Sequence, residues 1–142
     1  MQKLSDIFQK LSRTETLLFE SSSLNGSQMG WNCSGRGETS VGQSGMLLTF
    51  RDRFRLDNGR ICRDDKQWLL EEGGLAFFHY REQRFQRIFT FQEHGGEIVC
   101  KQPYLCAPDR YFGTLAADSV QTVLTIRIKG TRKNEVIRYV YR

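Results

Sequence analysis

Apolar residues recur along this chain at two different periods, and the change of period divides it. Leu4, Ile7, Phe8 and Leu11 fall at helical spacing. That spacing predicts one short amphipathic helix over residues 3–13, capped by Ser5 or a residue upstream. From Thr16 onward the period is two. Thr16–Ser22 reads as a first strand, ended by a loop with Asn25-Gly26 at its turn. Gly30-Trp31-Asn32-Cys33-Ser34-Gly35-Arg36-Gly37 opens a second strand, whose glycines mark sharp coiling or close backbone approach. Met46, Leu48, Phe50, Phe54 and Leu56 then alternate with Leu47, Thr49, Arg51, Arg53 and Arg55, the pattern of a strand buried on one side.

Asn58-Gly59 predicts a two-residue hairpin turn. It pairs residues 46–56 antiparallel with 61–70, with Phe50 and Phe54 inward. Arg53 is then opposite Asp64 and Arg51 opposite Lys66 on the outer face. Further strand-like runs lie at 66–71, 75–81, 84–92, 97–103, 106–117, 120–130 and 133–142. About ten strands and one helix in a meander predict a mainly β fold: an up-and-down antiparallel β-barrel, forming a single domain over residues 1–142. A barrel of this size has room for one small ligand.

Composition narrows the function classes. The chain has 142 residues, enough to bury a core without metal or disulfide staples. No apolar run approaches the roughly 18 residues of a membrane span. The first residues lack the continuous apolar stretch and small-residue cleavage site of a secretory signal. A reducing, cytoplasmic setting is expected, with Cys33, Cys62, Cys100 and Cys106 as free thiols. Irregular cysteine spacing and only two histidines argue against a zinc site. The net charge of +5 admits an anionic partner. The basic residues are spread along the chain, however, and no nucleic-acid-reading motif occurs. The expected partner is therefore a small apolar or anionic molecule and not a membrane, and the absence of a reading motif weighs against nucleic acid.

The candidate pocket rests on one turn. If Glu82-Gln83 is a two-residue turn, then Phe78, Tyr80, Phe85, Arg87, Phe89 and Phe91 share a face. An arginine among five aromatics suits an acidic group in an apolar cavity, because its guanidinium is always charged and matches carboxylate or phosphate. The alternative places Arg87 outside, or pairs it with Asp109 or Glu93. Asp109 and Tyr111 share a face of their strand, and Tyr139 and Tyr141 share one on the last; tyrosine's apolar body and hydroxyl suit a pocket wall. The expected ligand-binding set is Phe78, Tyr80, Arg87, Phe89, Asp109, Tyr111, Tyr139 and Tyr141. His79, among aromatics, reads as structural rather than as a haem ligand, and His94 as a turn residue. No metal site is expected and the cofactor is unknown. No Walker loop, nucleophile elbow or His-Glu-x-x-His helix is present. Two alternatives remain beside ligand binding. One is an interaction module whose outer Arg51, Arg53 and Arg55 dock an acidic protein or RNA. The other is a lyase or isomerase acting on a ligand in the barrel.

Three segments carry a family resemblance: Gly30-Trp31 with Gly35-x-Gly37, Cys106-x-x-Asp109-x-Tyr111, and Gly130-x-x-Lys133-x-Glu135-Val136-Ile137-x-Tyr139-x-Tyr141-Arg142. Together they resemble a family of small calycin-like (lipocalin-like) β-barrel proteins of bacteria, fungi and plants. The resemblance covers essentially all of the chain after the helix. It implies the barrel fold and leaves the chemistry open. Thr131, Asn134 and Tyr104 depart from the family pattern, where a proline, an acid and a histidine are usual. Losing that histidine weakens any metal or haem reading.

Overall fold

The computed structural model describes residues 3–142. The helix, α1, runs Leu4–Ser12. It has Lys3 at its N-cap position with no side-chain cap, so Ser5 lies inside the helix and does not cap it. Eleven strands follow: β1 Thr16–Ser23, β2 Cys33–Ser44, β3 Leu47–Leu56, β4 Ile61–Glu71, β5 Gly74–Arg81, β6 Arg84–His94, β7 Glu97–Cys100, β8 Tyr104–Cys106, β9 Asp109–Ala117, β10 Thr122–Lys129 and β11 Asn134–Tyr141. All pairings are antiparallel, and β9 pairs with β10 to close the sheet. β7 and β8 both pair with β9 and act as one interrupted stave, so the barrel is ten-stranded.

Inward residues alternate as the pleat requires. Ile7, Phe8 and Leu11 of α1 are fully buried, and the helix packs against β2, β4, β5 and β10 to plug one end. The same core contains Leu17, Leu48, Phe50, Trp68, Leu75, Phe77, Phe89, Phe91, Leu124 and Tyr141. The aromatic rings interlock, with Phe50 edge-on to Tyr141 at 5.0 Å and Trp68 against Phe77 at 4.7 Å. This half of the barrel is filled by its own side chains.

Several local readings change. Gly30 and Trp31 lie in the loop before β2, which begins at Cys33. Cys106 and Asp109 flank a tight turn with a cis Ala107–Pro108 bond, so 106–117 is the end of β8 plus β9. The β3–β4 loop has three residues, 57–59, since Leu56 N–H donates to the Arg60 carbonyl. Gly59, at φ +89°, supplies the left-handed residue that such a loop needs. The extra residue shifts the register: Arg53 faces Arg63 and Arg51 faces Asp65, while Asp52 and Asp64 oppose each other on the inside.

The two-residue turn at Glu82-Gln83 is present, with positive φ at both residues. Phe78, Tyr80, Phe85 and Arg87 do share a face, but it is the outer one. A β-bulge leaves Ile88 unpaired between Phe78↔Arg87 and Phe77↔Phe89. It reverses the alternation, so that Phe89 and Phe91 turn inward while Arg87 stays outside. Arg87 pairs there with Glu71 at 2.6 Å and lies over the Phe78 ring. Tyr80 is 45 % exposed. Arg87, Phe78 and Tyr80 therefore line no interior cavity.

Candidate functional site

Between the apolar half and the open end lies a belt of buried polar groups. Its members alternate inward on four strands: Asp52 on β3, Asp64 and Lys66 on β4, His79 on β5, and Tyr139 and Tyr141 on β11. Asp52 is 0 % exposed and Lys66 1 %. Buried ions are tolerated only when paired and hydrogen-bonded, and these are. Lys66 Nζ donates to Asp52 Oδ2 at 2.5 Å and to Asp64 Oδ2 at 2.8 Å. It also sits 3.7 Å from the centroid of the Tyr139 ring. Asp52 accepts further bonds from Thr39 Oγ1 at 2.7 Å and Tyr141 OH at 2.8 Å. Asp64 accepts one from Tyr139 OH at 2.9 Å and meets His79 Nε2 on its other oxygen.

Charge states follow from these contacts. Burial alone would raise the Asp64 pKa, but Lys66 and His79 hold its carboxyl far below the usual carboxylate range. Burial would lower that of Lys66, yet Asp64, the two tyrosines and Asp52 hold it well above an ordinary lysine. Tyr139 and Tyr141 are pushed up by burial and remain neutral, donating their protons to the carboxylates.

Two members of the belt, Asp64 and Tyr139, reach a cleft of about 440 Å³. Its walls carry Phe19, Trp31, Phe54 and Tyr139, with Arg60 and Arg63 at the rim and Asp64 at the base. Phe19 stacks on Phe54 at 5.0 Å and meets the edge of Tyr139 at 5.3 Å. β2 can bend here because Gly37 has no side chain. A Cβ there would lie 2.0 Å from the Arg53 carbonyl oxygen.

Trp31 is held over the mouth by two polar braces. Glu135, fully buried, accepts hydrogen bonds from Ser23, Ser27 and the Asn134 amide, and Ser23 in turn accepts one from the Trp31 N–H at 2.7 Å. Burial opposes ionisation of Glu135, but those donors keep its carboxyl below the usual range. On the other side Lys133 Nζ bonds Asp109 at 2.8 Å and lies 5.3 Å from the Trp31 ring centroid. Asp109 packs against Gly130, where a Cβ would meet its Oδ1 at 2.1 Å. The Gly130-x-x-Lys133 and Asp109 motifs are thus one brace for the mouth. Cys33 and Cys62 also line the cleft, and burial pushes the Cys33 thiol up, so it stays protonated near neutral pH.

The structure brings Tyr139 and Tyr141 together at the belt, with the Tyr139 ring in the cleft wall. Phe89 is core, and Asp109 binds Lys133 instead of Arg87. Tyr111 is half-buried, edge-on to Tyr104 and beneath the Arg81 guanidinium. The missed residues are Asp52, Asp64, Lys66, Trp31, Arg60 and Arg63. One signal for the first three stood in the alternation. Asp52 falls between inward Phe50 and Phe54, and Asp64 and Lys66 are in phase with Trp68. Among the described residues, no group of three or more His, Cys, Asp or Glu side chains is placed to hold a metal, and no helix is long and apolar enough to cross a membrane.

No family model matches the chain, and no curated protein does. Among solved structures, a de novo designed fluorescence-activating β-barrel is 14 % identical, with 94 % of this chain and 95 % of that one covered and a TM-score of 0.44. A redesigned β-barrel bound to DFHBI is 11 % identical, with 95 % and 97 % covered and a TM-score of 0.46.

Proposed function

We propose that this chain is a single-domain, calycin-like barrel that binds a small, partly apolar, anionic ligand in the cleft above the polar belt. The observation that carries the reading is the cleft itself. It has about 440 Å³ and aromatic walls. Its two rim arginines, Arg60 and Arg63, have no carboxylate within ion-pair distance among the described residues. An apolar body would lie against Phe19, Phe54 and Trp31 while its acidic group met Arg60 and Arg63. Arg87 has no part in this, because its partner is Glu71 on the outer wall. We also propose a reducing compartment such as the cytoplasm, where the thiols of Cys33 and Cys62 at the cleft would persist.

An anionic naphthalene sulfonate dye tests the proposal. Each charge-assisted contact is worth roughly 1.5 kcal/mol or more, on the order of tenfold in affinity. Arg60→Leu with Arg63→Leu should therefore weaken binding by at least that factor, and Trp31→Ala should also weaken it, while Arg87→Leu should not. Equal binding by all four proteins, or none by the wild type, would sink the assignment.

A second reading, in which the outer face docks an acidic macromolecule, has its own support. Of the three arginines in the β3 row, Arg53 is tied to Asp65 at 2.9 Å. Arg55 has no carboxylate within ion-pair distance among the described residues and stands directly opposite Arg36 of β2.

A further inference from the structure

The barrel gathers on its outer wall basic residues that the sequence scatters. On β9 and β10, Arg110 is directly opposite Lys129, and Phe112 opposite Arg127. These four residues line a surface cavity of about 500 Å³ that contains no acidic side chain. Phe112 is 38 % exposed. Arg127 donates through Nη2 to Asn134, and its buried Nε has no partner. Like charges placed directly opposite on a sheet repel, and among the described residues no carboxylate is within ion-pair distance of Arg110, Arg127 or Lys129.

The pairing registers continue this patch into a diagonal. Two residues further along each strand, Thr125 of β10 faces Arg138 of β11, and Arg138 faces Glu20 of β1. Two further still, Val140 faces Leu18, Leu18 faces Arg36, and Arg36 faces Arg55. Arg36, Arg55 and Arg138 line a second groove of about 540 Å³ floored by Leu18 and Val140. Glu20 and Asp57 border it, but neither forms an ion pair among the described residues. The stripe crosses six adjacent strands, β9, β10, β11, β1, β2 and β3. At the usual strand and residue spacings that is about 30 Å.

We infer that this stripe binds single-stranded nucleic acid, a more specific form of the outer-face reading and one that rests on it. Arg110, Arg127, Lys129, Arg138, Arg36 and Arg55 would track the phosphates. Phe112 would stack a base, and Leu18 and Val140 would give sequence-tolerant apolar contact. Cations in a line beside an exposed aromatic ring on a barrel wall are the combination that single strands require, and OB-type barrels engage roughly 4–16 nucleotides in this way. An acidic protein would use the cations but has less need of the ring.

The test is fluorescence anisotropy of a labelled 12-nucleotide oligouridylate against the full chain over a salt series. Affinity should fall with salt at a log–log slope of about −0.7 per phosphate contact. Arg127→Gln and Lys129→Gln should each weaken binding and make the slope shallower by about that amount. Phe112→Ala should weaken binding roughly five- to a hundredfold with the slope unchanged. Arg84→Gln, on β6 and off the stripe, should have no effect, and circular dichroism checks that each variant folds. Binding insensitive to Phe112→Ala, or equally tight binding of a blunt duplex, overturns the single-strand assignment. Equally tight binding of a 12-residue oligoglutamate overturns it as well, while leaving the outer-face reading standing. Binding of neither polyanion overturns both.

Discussion

Replacing Lys66 by methionine keeps the volume of the side chain and removes the one cation from the centre of the belt. The substitution leaves two opposed carboxylates, Asp52 and Asp64, in the interior of the barrel. Each keeps neutral donors: Thr39 and Tyr141 for Asp52, and Tyr139 for Asp64. Their charges, however, are no longer compensated by an ammonium group at 2.5 and 2.8 Å. Breaking a buried ion pair from one side costs about 3–5 kcal/mol. For a domain of this length, 1 kcal/mol corresponds to about 4 °C in Tm, so a fall of about 12–20 °C is expected. The loss should shrink toward pH 4, because protonating one carboxyl relieves the repulsion. Denaturant unfolding of Lys66→Met, Asp64→Asn and the double variant would measure the coupling. The double variant should be at least about 2 kcal/mol more stable than the two single losses summed. A cost below about 1 kcal/mol that is independent of pH would refute the claim that Lys66 neutralises the belt.

Two further outcomes follow from the same structure. Gly37→Ala should destabilise by more than about 2 kcal/mol, since its Cβ would meet β3 backbone at 2.0 and 2.5 Å, atoms that cannot swing aside; a neutral effect on the urea midpoint would show that β2 does not coil as described. Stability should be flat from about pH 5 to 9 and fall on both sides. The depressed carboxyls of Asp64 and Glu135 contribute stability above their unfolded values of 3.8 and 4.5 and lose it as pH falls below them. The raised Lys66, Tyr139 and Tyr141 contribute below their unfolded values of 10.5 and 10.0 and lose it as pH rises beyond them. Thermal melts across that range would check both branches, and an alkaline limb unchanged in Tyr139→Phe would contradict the assignment of that limb.

The helix, the strands and the inward placement of Phe50 and Phe54 were legible in the residue pattern, because periodicity is local. A side chain two residues along a strand points the same way whatever the rest of the chain does. A two-residue turn at Asn58-Gly59 would set Lys66 on the outer face opposite Arg51, whereas Lys66 lies inside, neutralised by Asp52 and Asp64. What the pattern could not carry was register between strands. One additional loop residue at 57–59 moved Arg53 from Asp64 to Arg63, and one bulge at Ile88 left Arg87 outside while turning Phe89 in. A slip of a single residue reverses every face beyond it, and nothing within a strand records it. The mouth depends on contacts over still longer separations: Ser23 with Glu135, Asp109 with Lys133, Tyr139 with Asp64. Closure of the barrel by β9 and β10 is likewise what draws six scattered cations into one diagonal. Residue type and alternation determined the staves of this barrel; only closure and register decided which of their side chains meet.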